Sequence, residues 1–170
     1  MTISNNIVRY FIVLFVFSLC FAYSGCSGSS GDYDSFLSGD GKILYYIKPV
    51  SFDSDSPYSL IIDITFKASA SDTAICNFSV RSDDDQPLRI SNAKFVCDSK
   101  NDINLFSINR LFKQGELSRF TGKTKYTDFK SLFSARKINF LIQLENNSEL
   151  KFEASGDFYK VLSKLSNDVE

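Results

Sequence analysis

The chain contains no histidine and no tryptophan. The first absence removes the commonest general base and metal ligand at neutral pH, so Ser-His-Asp and Cys-His catalysis are excluded, and most zinc sites with them. A Ser-Lys alternative needs Ser-x-x-Lys. The pairs Ser91/Lys94, Ser134/Lys137 and Ser148/Lys151 have that spacing, about as often as the serine and lysine content alone provides. Thr121-Gly122-Lys123-Thr124 lacks the glycine five positions before Gly122 that a P-loop requires, because position 117 is leucine. The expectation is a protein that is not an enzyme and holds no cofactor and no metal. A net charge of −1 gives no reason for a nucleic-acid partner. The chain also lacks a membrane-spanning length in its apolar run at residues 10–23, since a helix needs about 20 apolar residues to cross a bilayer core.

That run, Tyr10 to Tyr23, does fit a signal-peptide h-region, with Arg9 and the amino terminus as a thin positive flank. It ends in Tyr23-Ser24-Gly25-Cys26, beyond which the chain turns to serine, glycine and aspartate. "YSGC" resembles the lipobox of bacterial lipoproteins: Ser24, Gly25 and Cys26 fit their positions, and Tyr23 stands where the class usually has leucine. The resemblance implies that Cys26 is diacylated on sulfur and becomes the new amino terminus, tethered by the Ser/Gly segment that follows. The expected organisation is a signal peptide at 1–25, a lipid-anchored flexible tether at 26–40, and a single β-rich domain at 41–170. Two alternatives stay open, an uncleaved anchor and a cut after Ala22-Tyr23-Ser24 that would leave Cys26 as a thiol in a secreted protein. The sequons Asn77-Phe78-Ser79 and Asn146-Asn147-Ser148 add a secreted eukaryotic glycoprotein as a third. Cysteine arithmetic favours lipid: Cys20 leaves with the signal peptide, and lipid on Cys26 lets the remaining Cys76 and Cys97 pair.

Period-two alternation dominates the domain. Leu60, Ile62, Ile64 and Phe66 share one face of a strand at 59–67, against Asp63, Thr65 and Lys67. Ala74, Cys76, Phe78 and Val80 share a face over 73–81, and Ala93, Phe95 and Cys97 over 91–98. Pairing the last two antiparallel sets Val80 against Ala93, Phe78 against Phe95 and Cys76 against Cys97, within reach of a disulfide. The competing reading is two buried thiols packing as small hydrophobes. Further strands are read at 42–49 (Ile43, Tyr45, Ile47 on one face), 103–109, 117–125, 138–145 and 149–154. The last two form a hairpin through Asn146-Asn147-Ser148, with Leu144 against Leu150 and Ile142 against Phe152. Thr127 is placed to cap a short helix presenting Phe129, Leu132 and Phe133. Gly156-Asp157 opens a final helix whose Phe158, Val161, Leu162 and Leu165 recur at helical spacing, as a core face or, alternatively, a partner face. The fold expected is mainly β with short C-terminal helices: an antiparallel β-sandwich or barrel-like single domain. The order helix, strand, strand, glycine, helix over 128–165 resembles the end of small exported bacterial β-domains of the invasion-associated locus B type, and no function follows from it.

Charge is uneven. Residues 110–137 carry Arg110, Lys113, Arg119, Lys123, Lys125, Lys130, Arg136 and Lys137 against Glu116 and Asp128. This is either an ordinary solvated surface or a patch for an anionic surface or an acidic protein partner, with Phe112, Phe120 and Tyr126 as contact residues. Carboxylates cluster at Asp53/Asp55 and Asp83-Asp84-Asp85 without EF-hand spacing, and a solvated turn suffices to explain them. The function expected is that of an exported, lipid-anchored cell-envelope protein acting as a non-enzymatic binding module, its partners a membrane through the anchor and an anionic surface or protein. An envelope hydrolase working through carboxylates alone is the rival.

Overall fold

The computed structural model describes residues 28–29, 31–69, 71–83, 87–98 and 102–169. Two strands, β1 (Gly28–Ser29) and β2 (Tyr33–Leu37), precede β3 (Ile43–Asp53), β4 (Ser59–Lys67) and β5 (Thr73–Arg81). Next come β6 (Ile90–Cys97), β7 (Ile103–Asn104), β8 (Phe106–Gln114) and β9 (Leu117–Lys125). A short helix α1 (Tyr126–Lys130) and a 3-10 turn (Ser131–Ser134) lead to β10 (Ile138–Leu144), β11 (Glu149–Ala154) and a terminal helix α2 (Gly156–Asp168). The sheet thus takes up residues 33–37 of the stretch read as tether.

Every pairing is antiparallel, in the order β7-β6-β10-β11-β3-β4-β5-β9-β8, with β2 on the first half of β3 and β1 on β2. The strands at the two ends of that order, β7 and β8, are consecutive in the chain with only Leu105 between them. Residues 103–114 therefore serve both edges and roll the sheet into a nearly closed barrel, as one of the two expected architectures has it. At the junction the Leu105 amide donates to the Ala93 carbonyl at 2.9 Å, while its side chain lies against Gly122 of β9. A Cβ at position 122 would stand 3.1 Å from Leu105 Cβ, which is why a residue without one sits there.

Closure is incomplete at two seams. Strand β11 meets β3 only at Glu153↔Asp53 and Ala154↔Phe52. Helix α2 fills the gap that opens beyond, burying Phe158, Val161, Leu162 and Leu165 as their spacing predicts, with Phe158 4.9 Å from Phe52 between ring centroids. On the other side β8 follows β9 away from β6, leaving a surface cleft. The interior is filled by rings: Phe140 contacts Phe95 at 4.7 Å, Phe78 at 5.2 Å and Phe52 at 6.5 Å, and Phe66 packs on Tyr126 and Phe129 beneath α1.

The strand ends gather at two rims. One, the α1 rim, carries the β2–β3 turn, the β4–β5 turn, α1 and the start of β10. It is tied together by Lys42–Asp72 at 3.0 Å, Lys67–Asp40 at 2.8 Å and the Tyr126 amide donating to the Asp72 carbonyl at 3.1 Å. The opposite rim carries the β3–β4, β8–β9 and β10–β11 turns and residues 87–89.

Several registers differ from expectation. The 59–67/73–81 hairpin forms as expected, with Ile62 opposite Phe78. But β5 pairs along its other edge with β9, not β6, so Phe78 meets Phe120 and Cys76 meets Gly122. Strand β6 pairs instead with β10, placing Phe95 opposite Phe140 and Cys97 opposite Ile138. The Cys76–Cys97 disulfide expected from the sequence is therefore absent. Alternation dictates which face a residue takes but not which strand lies beside it. The β10–β11 hairpin is offset by two residues, with Ile142 opposite Leu150 and Phe140 opposite Phe152. The turn is longer than expected, and Asn147 takes a positive φ of 66°; an even offset preserves both faces. A bulge between Ile47 and Val50 carries β3 past Pro49 and keeps Tyr45, Ile47, Val50 and Phe52 all inward. Ile43, expected inside, is exposed. Thr127 caps nothing, lying within α1 while Lys125 occupies the cap position.

Two outcomes follow. Phe140→Ala, which empties the meeting point of three rings, should lower unfolding free energy by about 3–5 kcal/mol in urea titration. Burial pushes the Cys76 thiol up, keeping it protonated, and only a thiolate attacks a disulfide or an oxidant readily. Non-reducing peptide mapping of the native protein should recover Cys76 and Cys97 in separate, unjoined peptides.

Candidate interaction surfaces

Strand β9 alternates cleanly. Ser118, Phe120, Gly122 and Thr124 are buried inward, while Arg119, Thr121, Lys123 and Lys125 point out. The outward row continues across the neighbouring strands: Lys123 lies between Ile75 of β5 and Phe106 of β8, and Arg119 between Ser79 and Phe112. Ile75, Phe106 and Phe112 are exposed, so cation and apolar side chains mix on this wall. Of the three expected contact residues only Phe112 is available. Phe120 stacks on Phe78 at 5.4 Å and Tyr126 on Phe66 at 5.6 Å, both in the core.

Arg119 is not a free cation. Its Nη2 donates to Asp63 Oδ1 at 2.6 Å and its Nη1 to Ser79 Oγ at 2.9 Å, while Asn77 Nδ2 donates to Asp63 Oδ2 at 2.9 Å. Asp63 is outward-facing yet only 2% exposed, held under the guanidinium. This clasp spans β4, β5 and β9. The sequence places Asp63 among solvent-side residues, and no local signal marks it; only the three-strand register brings Arg119 over it. It also engages the side chain of Asn77, one of the two sequon asparagines, while Asn146 stays exposed.

The rest of the basic segment is dispersed. Arg110 stands opposite inward-facing Phe120 and Lys113 opposite buried Ser118, so both turn towards the barrel's split rather than the outer wall. Lys137 is 3.9 Å from Glu153. Lys125, Lys130 and Arg136 lie on the α1 rim, where no salt bridge engages them among the described residues. The basic residues of 110–137 thus lie on the outer wall, beside the split and on the α1 rim.

The split between β8 and β6 holds a cleft of about 310 Å³ lined by Leu88, Arg89, Ile90, Ile108, Arg110 and Phe120. A neighbouring cleft of about 500 Å³ lies across the 87–89 segment, beside Tyr58, Ser82 and Asn146. At the other seam Asp53, Asp55, Glu149 and Glu153 line an acidic cleft of about 430 Å³ with Lys151. Among the described residues no group of three or more acids or cysteines is placed to hold a metal ion. Asp84, Asp85 and Cys26 lie outside those residues. All three clefts open near the rim opposite α1.

Compared with protein-family models, curated proteins and solved structures, the chain matches none of them.

Removing the cation from the clasp leaves Asp63 buried and unpaired, so Arg119→Ala should cost about 3 kcal/mol of stability in urea titration. Lys123→Ala, on the same strand but in no ion pair among the described residues, should change it by no more than about 0.5 kcal/mol.

Proposed function

We propose that this chain is an exported protein of a bacterial cell envelope, held at a membrane by lipid on Cys26, whose β-barrel domain works as a binding module. The observation that carries the reading is the succession at the amino-terminal end: an apolar run of h-region length, the residues Ser24-Gly25-Cys26, a Ser/Gly segment and then the sheet. With Cys76 and Cys97 not joined, cysteine parity no longer contributes, and this succession bears the argument by itself. Supporting the binding role, the barrel's interior is filled by aromatic side chains, so recognition belongs to its walls and rim clefts rather than to an internal ligand cavity.

Intact mass of the protein isolated from its native membrane tests the anchor. A diacylglyceryl adduct at Cys26 is expected; an unmodified cleaved chain or a glycan-bearing one would overturn it. In parallel, Cys26→Ala should move the protein to the soluble fraction or block its processing, because two acyl chains anchor stably where one binds only marginally. A variant that stays membrane-bound at normal size would refute the lipid.

A further inference from the structure

The most exposed apolar side chains of the β2–β3 hairpin occupy both faces of its tip, Leu37 and Ile43 on one and Phe36 on the other. Leu37 is 77% exposed, Phe36 44% and Ile43 47%, and Leu37 pairs directly opposite Ile43 with Phe36 opposite Leu44. Nothing in the fold requires this: the same hairpin buries Tyr33, Tyr45 and Ile47 a few residues further along. Three large apolar side chains at one turn are costly to leave in water, and such clusters mark surfaces that something covers.

The register of β1 indicates what covers them. Gly28 pairs with Ser35 and Ser29 with Asp34, antiparallel. Because β1 runs antiparallel to β2, its first residue, Gly28, lies at the end of β2 nearer Phe36 and Leu37. Only Ser27 separates Gly28 from Cys26 in the sequence, and two steps along a chain span at most about 7 Å. The charges of the same rim agree. The tip's carboxylates Asp40 and Asp72 are matched by Lys67 and Lys42, while Lys125, Lys130 and Arg136 on that rim are engaged in no salt bridge among the described residues. An apolar tip on a rim that also carries Lys125, Lys130 and Arg136, against the exposed Asp128 of α1, suits the headgroup boundary of an anionic bilayer.

We infer that the β2–β3 tip, with Phe36, Leu37 and Ile43, is a second membrane contact, dipping into the interface of the bilayer that holds the Cys26 lipid and standing the barrel with its α1 rim towards the membrane. The inference rests on the lipid anchor proposed above and adds an orientation: the three clefts then open away from the bilayer.

The absence of tryptophan from the chain makes the test direct. Leu37→Trp introduces a sole tryptophan in the lipidated protein, and Leu111→Trp, on β8 four strands from β3 and 53% exposed, is its control. Each is incorporated through its lipid into protein-free vesicles of phosphatidylcholine and phosphatidylglycerol, with the Cys26 adduct verified by intact mass and the fold by far-UV circular dichroism. Leu37→Trp should show blue-shifted emission and lose most of its intensity to brominated acyl chains, while Leu111→Trp should keep a solvent-exposed spectrum. Ile43→Trp, facing Leu37 across the hairpin, replaces the first probe if that variant fails to fold. Lipid present on Cys26 with an unshifted, unquenched Leu37→Trp overturns the contact and leaves the anchor standing. Quenching of Leu111→Trp instead overturns it in favour of the β8 wall. Absence of the adduct defeats anchor and contact together.

Discussion

The contact of Leu105 with Gly122 is the constraint on which the barrel depends. A sheet whose order begins at β7 and ends at β8 closes only if the chain can pass from one edge to the other over a single residue, and that residue needs a partner strand without a side chain. The bond from the Leu105 amide to Ala93 holds it to β6, while Gly122 admits it to β9. Rolling the sheet this way brings the inward faces of distant strands together and so decides where the rings of Phe78, Phe95, Phe120 and Phe140 meet. It also explains the defects. Strand β8 has register shifts after Phe106 and after Arg110 and a positive φ at Ser107; such bulges bend a strand, and this one leaves β6 to open a cleft. At the opposite seam β11 touches β3 only briefly, and a helix supplies the missing wall.

The clasp around Asp63 shows how such a sheet converts surface charge into structure. An outward carboxylate is ordinarily solvated, but Asn77, Ser79 and Arg119 enclose this one across three strands. Burying an ion pair is worth little unless the remaining hydrogen-bond capacity is met, and here both carboxylate oxygens have partners. Arg119 is therefore committed to the fold, and the remaining cations of the basic segment divide between the outer wall, the split and the α1 rim.

That division gives the molecule two unlike ends. The α1 rim joins an apolar hairpin tip to cations that no salt bridge engages among the described residues, whereas the clefts of the opposite rim mix acids, cations and apolar floors. With the interior filled, the walls and rim clefts are the surfaces open to another molecule, and the proposed lipid at Cys26 would make the two ends inequivalent by fastening one of them to a bilayer.

What the sequence determined by itself is local. Alternation identified the long strands, their inward faces and the 59–67/73–81 hairpin, and helical spacing identified the buried stripe of α2, because side-chain direction repeats with the backbone whatever lies next to it. The proposed export and lipid signal of the apolar run and Cys26 also rests on a linear segment alone. Only the tertiary structure decided that β5 lies against β9 rather than β6, that Cys76 and Cys97 face different partners, that Phe120 and Tyr126 are core, and that Asp63 is buried. Each of these depends on which distant strand is adjacent, and neighbour choice in an antiparallel sheet is settled by closing the whole barrel, a condition that no single strand's pattern contains.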